Sequence, residues 1–165
     1  FRSNNVIRDS INELRNIIFD LRPMSLDDLG FEKTFYTAIE KIKGTTQMVV
    51  KADYLCDTDS MNPIIGITVI RIIQELCSNS IKYSKGTKIQ VTIKQDKQNE
   101  LLILYSDNGE GYDLNKPTDC TKNNNGFGLN MMRERIALLQ GKMEVCYKDG
   151  ELSYTIRIPL DTQKI

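Results

Sequence analysis

Apolar positions along the chain follow two periods, and the switches between them predict the elements. Ile7, Ile11, Leu14, Ile18 and Leu21 recur at four- and three-residue steps, a heptad-like stripe on an otherwise polar helix. Arg22-Pro23 ends it, because the residue before a proline is pushed out of the helical region. Ser25 to Gly30 reads as a turn. A second helix follows over about Phe31 to Lys43, with Phe35, Ala38, Ile39 and Ile42 on its apolar side and Gly44 closing it. Gln47 to Tyr54 is a strand candidate, and Asp57 to Ser60 a polar loop.

Asn62-Pro63 then supplies a cap and a first-turn proline for a long helix, along which Ile67, Ile70, Ile73, Cys77 and Ile81 form the apolar stripe. Lys85-Gly86 ends it. From Thr87 to Gln95, Ile89, Val91 and Ile93 alternate with polar residues, the mark of a half-buried strand. Gln98-Asn99 turns the chain into a more uniformly apolar strand, Leu101 to Tyr105, so the two predict a hairpin. Tyr112 to Asn125 is polar and reads as a lid or a flexible loop. A helix runs from Gly126 to about Gln140 with Met132, Ile136 and Leu139 inward. Strands Lys142 to Tyr147 and Leu152 to Pro159, joined at Asp149-Gly150, complete the chain. No internal repeat or low-complexity tract interrupts this order, which suits an α/β (α+β) two-layer sandwich: a mixed sheet covered on one face by helices.

At 165 residues the chain is one domain, or one domain with an appendage, in which residues 1–23, an ordinary amphipathic helix or half of a bundle, precede a globular unit over residues 24–165. Lys and Arg balance Asp and Glu at 22 each, so net charge gives no electrostatic case for nucleic acid. Four cysteines without a C-x-x-C pair, in a chain without histidine, argue against zinc and for reduced thiols in a cytosolic compartment. Neither a signal peptide nor a membrane-spanning run is expected. The abrupt opening at Phe1, inside a helical pattern, reads as a piece cut from something longer.

Three groups of residues carry candidate chemistry. Glu75, Asn79 and Tyr83 are spaced i, i+4, i+8 and stack on one helix face, with Lys82 beside them. A carboxylate and an amide at that spacing suit magnesium and the phosphates it neutralises, since hard cations want oxygen ligands. The same residue types also decorate many solvated helix faces. Asp107-Asn108-Gly109-Glu110-Gly111 follows a strand; Asp107 there suits an exocyclic amine, although Asp-Asn-Gly is equally a common turn. Gly126-Phe127-Gly128-Leu129 opens a helix, where free amides and the helix dipole favour phosphate.

In this fixed order the three groups resemble the ATP-binding domain of the GHKL superfamily of gyrase, heat-shock chaperone, histidine kinase and mismatch-repair ATPases. Gln74-Glu75-Leu76 through Asn79, with Lys82-Tyr83-Ser84, is similar to the N-box of two-component sensor histidine kinases. Gly128-Leu129 followed by Met132, Arg133, Arg135, Leu139 and Gly141 is similar to the kinase pattern after the lid. Leu21-Arg22-Pro23 with Leu29-Gly30 resembles the exit from the dimerisation helices in the nitrate-sensor and lipid-fluidity-sensor subfamily, where histidine frequently stands at the position of Tyr83.

The resemblance implies a Bergerat fold holding ATP and Mg2+. Asn79 would ligate the metal, with Glu75 ordering its shell or the attacking group. Asp107 would read the adenine amine; Gly109 and Gly111 would admit the nucleotide. Gly126, Gly128 and Leu129 would hinge the lid and present amides to phosphates. Lys82 and Tyr83 would contact phosphate, and Ser153, or alternatively Thr155, would reach adenine through a water. It further implies a phosphoacceptor histidine on an upstream dimerisation helix, a homodimer, a response-regulator partner, and a cytoplasmic place in a membrane-anchored sensor. A serine kinase of the anti-sigma-factor type and a non-catalytic nucleotide-binding module are the alternatives.

Overall fold

The computed structural model describes residues 24–56, 61–110 and 125–160. The proposed dimerisation segment 1–23 and the polar loop up to residue 124 lie outside the described residues. In chain order the elements are α1 (Met24–Lys43), β1 (Val49–Leu55), α2 (Pro63–Asn79) continued by a π-helical turn (Ser80–Ser84), β2 (Lys88–Gln95), β3 (Glu100–Asp107), α3 (Asn125–Leu138), β4 (Lys142–Lys148) and β5 (Glu151–Pro159).

The five strands form one mixed sheet in the order β1-β2-β3-β5-β4, with β1 and β2 parallel and every other pair antiparallel. Parallel neighbours need a crossover, and α2 supplies it between β1 and β2. The expected hairpin is β2–β3, with Asn99 taking the left-handed conformation in its turn (φ 58°). Strand alternation separates the faces. Val50, Ile89, Val91, Ile93, Ile103, Tyr105, Tyr154, Ile156 and Ile158 pack under the helices, while Lys51, Gln90, Thr92, Ser153 and Thr155 occupy the other face. Met132, Ile136 and Leu139 of α3 and Phe35, Ala38 and Ile39 of α1 join the same core, as their spacing predicts.

Two expectations are corrected here. The segment Ser25–Gly30 is helical rather than a turn, and the break is confined to Gly30, whose φ of 76° interrupts α1. Nothing lies within 4 Å of the place a Cβ would occupy at Gly30, so the backbone conformation and not crowding requires glycine. On α2 the buried surface is wider than one stripe: Ile65, Val69, Ile72 and Leu76 are buried along with Ile70, Ile73 and Cys77. A helix that lies on a sheet between two other helices loses solvent on several sides at once. By length and composition Pro63–Ser84 is apolar enough to cross a membrane, at a mean hydropathy of 1.4, but that apolarity faces the sheet and its neighbours.

The entry to α2 is the predicted one. Pro63 takes the first helical position, and Asn62 Oδ1 accepts from the amide of Ile64 at 2.9 Å. Its exit is more specific than expected. After Asn79 the winding loosens to a π turn that ends at Lys85, left-handed at φ 55°.

Candidate functional site

β3 delivers the site. Its helix-facing residues include Tyr105 and, two positions on, Asp107, so both side chains enter the layer beneath α2. Asp107 is 2% exposed at the strand end, where a buried carboxylate must find donors. It has two. The amide of Gly109 donates to Oδ1 at 2.9 Å, and the hydroxyl of Ser80 donates to Oδ2 at 2.5 Å. Ser80, the first residue of the π turn, lies in turn 2.7 Å from the hydroxyl of Tyr105, which also stands 3.2 Å from the carbonyl of Leu76. Burial pushes the Tyr105 phenol above its ordinary range, so it remains a donor throughout the neutral region. The neighbouring Cys77 thiol is pushed up to about 12, chiefly by burial, and packs as a small apolar group.

The loop after Asp107 is clamped against the end of the π turn. Glu110 donates its amide to the carbonyl of Ser84 at 2.7 Å. Asn108 Oδ1 accepts from the amides of Thr87 and Lys88 at 2.9 and 2.8 Å, and its Nδ2 donates to Thr87 Oγ1 at 3.0 Å. Lys85 and Glu110 pair at 2.8 Å on the surface, where hydrogen bonding to the carboxylate raises the Lys85 pKa. At Gly109 a Cβ would collide with the backbone oxygen and Cβ of Ser84, so glycine is required there by close approach. Gly86 is crowded from the other side: its Cβ would meet the Gly109 amide nitrogen at 2.8 Å.

Glu75 and Asn79 share a face of α2 as their spacing predicts, with Asn79 Nδ2 donating to Glu75 Oε1 at 3.4 Å. That assignment turns the amide oxygen of Asn79 away from the carboxylate. A carboxylate and an amide oxygen fit a magnesium ion that takes its remaining ligands from phosphates and water. Among the described residues no cluster of three His, Cys, Asp or Glu side chains forms a self-sufficient metal site. Lys82 and Tyr83 are exposed on the π turn, Tyr83 at 41%. The i→i+5 winding carries Tyr83 off the straight ladder expected from Glu75 and Asn79.

The glycine pair Gly126 and Gly128 falls in the first turn of α3, with half-buried Leu129 after it, and α3 packs against α2. The helix bearing Asn79 and the helix opened by the glycines thus share the layer into which Asp107 faces. Gly111 lies outside the described residues.

Ser153 is not brought to the site, and neither is Thr155. The residue of β5 in register with Asp107 is Leu152, whereas Ser153 pairs with Ser106 and Thr155 with Leu104 on the opposite face of the sheet. Ser153 Oγ donates to the carbonyl of Cys146 at 3.2 Å. The parity of the strand thus separates Ser153 from the face on which Asp107 lies. Ser80, Tyr105 and Asn108, by contrast, were not singled out in the sequence. The signal for two of them was present: Tyr105 shares a strand face with Asp107, and Ser80 adjoins Asn79.

Residues 65–162, more than half of the chain, match the family described as histidine kinase-, DNA gyrase B-, and HSP90-like ATPase. The chain belongs to that family. Its relatives include the signal transduction histidine-protein kinase/phosphatase DegS of Brevibacillus brevis, 29% identical over 160 residues that make up 96% of this chain and 40% of the relative. DegS of Bacillus subtilis is 35% identical over 144 residues, 84% of this chain and 36% of the relative. The chain therefore spans about two fifths of the length of these relatives. Among solved structures, Acinetobacter baumannii histidine kinase AdeS superposes with a TM-score of 0.63 at 18% identity, covering 96% of this chain and 84% of that one. The Erythrobacter litoralis blue-light activated histidine kinase gives 0.63 at 16% identity, covering 77% and 41%. The mixed sheet with its helical layer is the fold of histidine kinase ATPase domains. As a member of an ATPase family, the chain has ATP as its ligand.

Proposed function

We propose that this histidine kinase ATPase domain holds ATP between α2 and α3 and presents its γ-phosphoryl group to a histidine outside these residues, for relay to a response-regulator aspartate. The sequence contains no histidine, so the acceptor belongs to another segment or another chain. The carrying observation is Asp107: a buried carboxylate at a strand end, fixed by two donors, in the layer that also holds Asn79 and Glu75.

Asp107 accepts from the exocyclic amine of adenine through lone pairs left free by Ser80 and Gly109. Gly109 keeps the loop low enough for a base to pass. Asn79, with Glu75, holds Mg2+, which when bound neutralises phosphate charge. Lys82 and Tyr83 face solvent on the π turn, where a triphosphate leaving the adenine pocket meets them; the first-turn amides of α3 at Gly126, Gly128 and Leu129 receive the phosphates from the other side. Phosphoryl transfer needs little beyond position and charge neutralisation, which agrees with a site that contains no strong nucleophile. In the parent protein the site works in a homodimer on the cytoplasmic side of a membrane-anchored sensor of the nitrate-sensor type. The DegS relatives, signal transduction histidine-protein kinases by name, support the kinase reading, and the Leu21-Arg22-Pro23 exit supports a dimerisation helix ahead of the site.

Calorimetric titration of the chain with ATP, with and without magnesium, is the test. Binding is expected to strengthen with magnesium, and Asn79→Ala is expected to remove most of that dependence. Equal affinity with and without the metal in the unaltered chain would overturn the reading.

A further inference from the structure

We infer that Ser80 and Tyr105 form a positioning pair that sets how strictly the nucleotide site demands an amino group on the purine. The inference rests on the adenine reading of Asp107 above and adds what determines its selectivity. Ser80 is 5% exposed, and Tyr105 and Asp107 are 2% exposed. The three polar ends meet in a row: Tyr105 hydroxyl, Ser80 Oγ at 2.7 Å, then Asp107 Oδ2 at 2.5 Å.

Proton counting fixes the direction of this row. An ionised carboxylate only accepts, so the single hydroxyl proton of Ser80 goes to Asp107. The oxygen of Ser80 then offers a lone pair to Tyr105, whose own single proton goes to it. A serine in a helix has a competing option, which is to bond back to the carbonyl four residues earlier. For Ser80 that carbonyl belongs to Leu76. It already accepts the Ser80 amide, and the Tyr105 hydroxyl stands 3.2 Å from it. The phenol therefore holds Ser80 to its bond with Asp107. Since Gly109 donates to the other carboxylate oxygen, both ends of the carboxylate are fixed and its plane cannot turn. What remains is an acceptor surface at constant orientation, complementary to an amine and repelled by a carbonyl. The loosened winding at Ser80 contributes too: the π turn begins at this residue, between Asn79 of the metal site and the exposed Lys82.

The test is a selectivity ratio. Affinities for ATP and for purine riboside triphosphate, which lacks only the amine, are measured by competition against a fluorescent nucleotide. The unaltered chain should prefer ATP by about tenfold or more, the usual range for a hydrogen bond to a charged group. Ser80→Ala should cut that preference at least about threefold, Tyr105→Phe should cut it partly, and Ser80→Thr should restore it. A weakening of both nucleotides by one common factor in Ser80→Ala would mean a merely structural role and overturn the inference. Asp107→Asn separates the two levels. If it leaves the preference intact, the adenine reading of Asp107 itself fails. If it abolishes the preference while Ser80→Ala does not, only the positioning pair fails. Should Ser80→Ala not fold, Tyr105→Phe decides: an unaltered preference there refutes the pair.

Discussion

The two faces of the sheet are built from the same strands, one residue apart, and they differ in kind. On the open face Gln90, Thr92, Leu104, Ser106, Ser153 and Thr155, together with Glu151 and parts of Tyr105 and Tyr154, line a recess of about 230 Å³. It is roomy, and more of its surface is apolar than polar. Yet the hydroxyl of Ser153 is spent on the local carbonyl of Cys146, and the lining holds no buried charge. On the helix face Asp107 is held by Ser80 and Gly109, Ser80 is held by Tyr105, and among the described residues no buried side-chain nitrogen or oxygen lacks a partner. The lesson is that a recess of suitable size does not locate chemistry. Preorganised donors around a buried carboxylate do, because they hold an acceptor at constant orientation in a poorly solvated place.

The largest way to break the contrast is at Gly109. Gly109→Ala drives a Cβ into the Ser84 backbone, which cannot swing aside as a flexible side chain would. The expected cost is about 3 kcal/mol of stability in denaturant unfolding, with loss of ATP binding. Retained binding would mean that the loop adapts and the clamp is not needed.

A smaller effect compares cysteines on the two faces. Cys77 is buried beneath Tyr105, whereas Cys146 is exposed on β4. Burial raises the Cys77 pKa from 9.0 to about 12, so above pH 9 the unfolded chain releases a proton that the folded chain keeps. Stability is then full below pH 9 and falls as pH rises toward 12, with on the order of 1 kcal/mol lost in the first unit. Cys77→Ala should flatten that part of the pH profile. Alkylation in native conditions should mark Cys146 and spare Cys77; rapid labelling of Cys77 would show that the layer opens.

The smallest expected effect is the control. Ser153→Ala and Thr155→Ala should change stability by no more than about 0.5 kcal/mol and leave ATP affinity unaltered. A loss of affinity in either would return the open face to consideration.

Much of the fold was legible because alternation and helical spacing are direct consequences of one-sided burial. Ile89, Val91 and Ile93 announce β2, and Met132, Ile136 and Leu139 announce the buried side of α3. The same parity was there to be read in β5: Leu152, Tyr154, Ile156 and Ile158 face the core, so Ser153 between them must face away. Family resemblance placed Ser153 at the nucleotide, whereas the pattern, like the sheet register, puts it on the face opposite Asp107. The π turn left no trace in the apolar spacing, since Ile81 keeps the four-residue step from Cys77. Gly30 misled for a related reason: Ser25 to Gly30 has turn chemistry, but a single left-handed residue absorbed the whole break. Glu75 and Asn79 were legible because a four-residue step on a helix is a contact. Ser80's bond to Asp107 spans 27 residues, and no local rule reaches that far.

Which face receives the nucleotide is the question on which all of this turns, and amide hydrogen exchange with saturating ATP and magnesium answers it directly. Protection is expected at Asn79 to Ser84 and at Asn108 to Glu110, with no change along Gln90, Thr92, Ser153 and Thr155. Protection confined to the open-face strands, with the Asp107 loop exchanging as before, would contradict it.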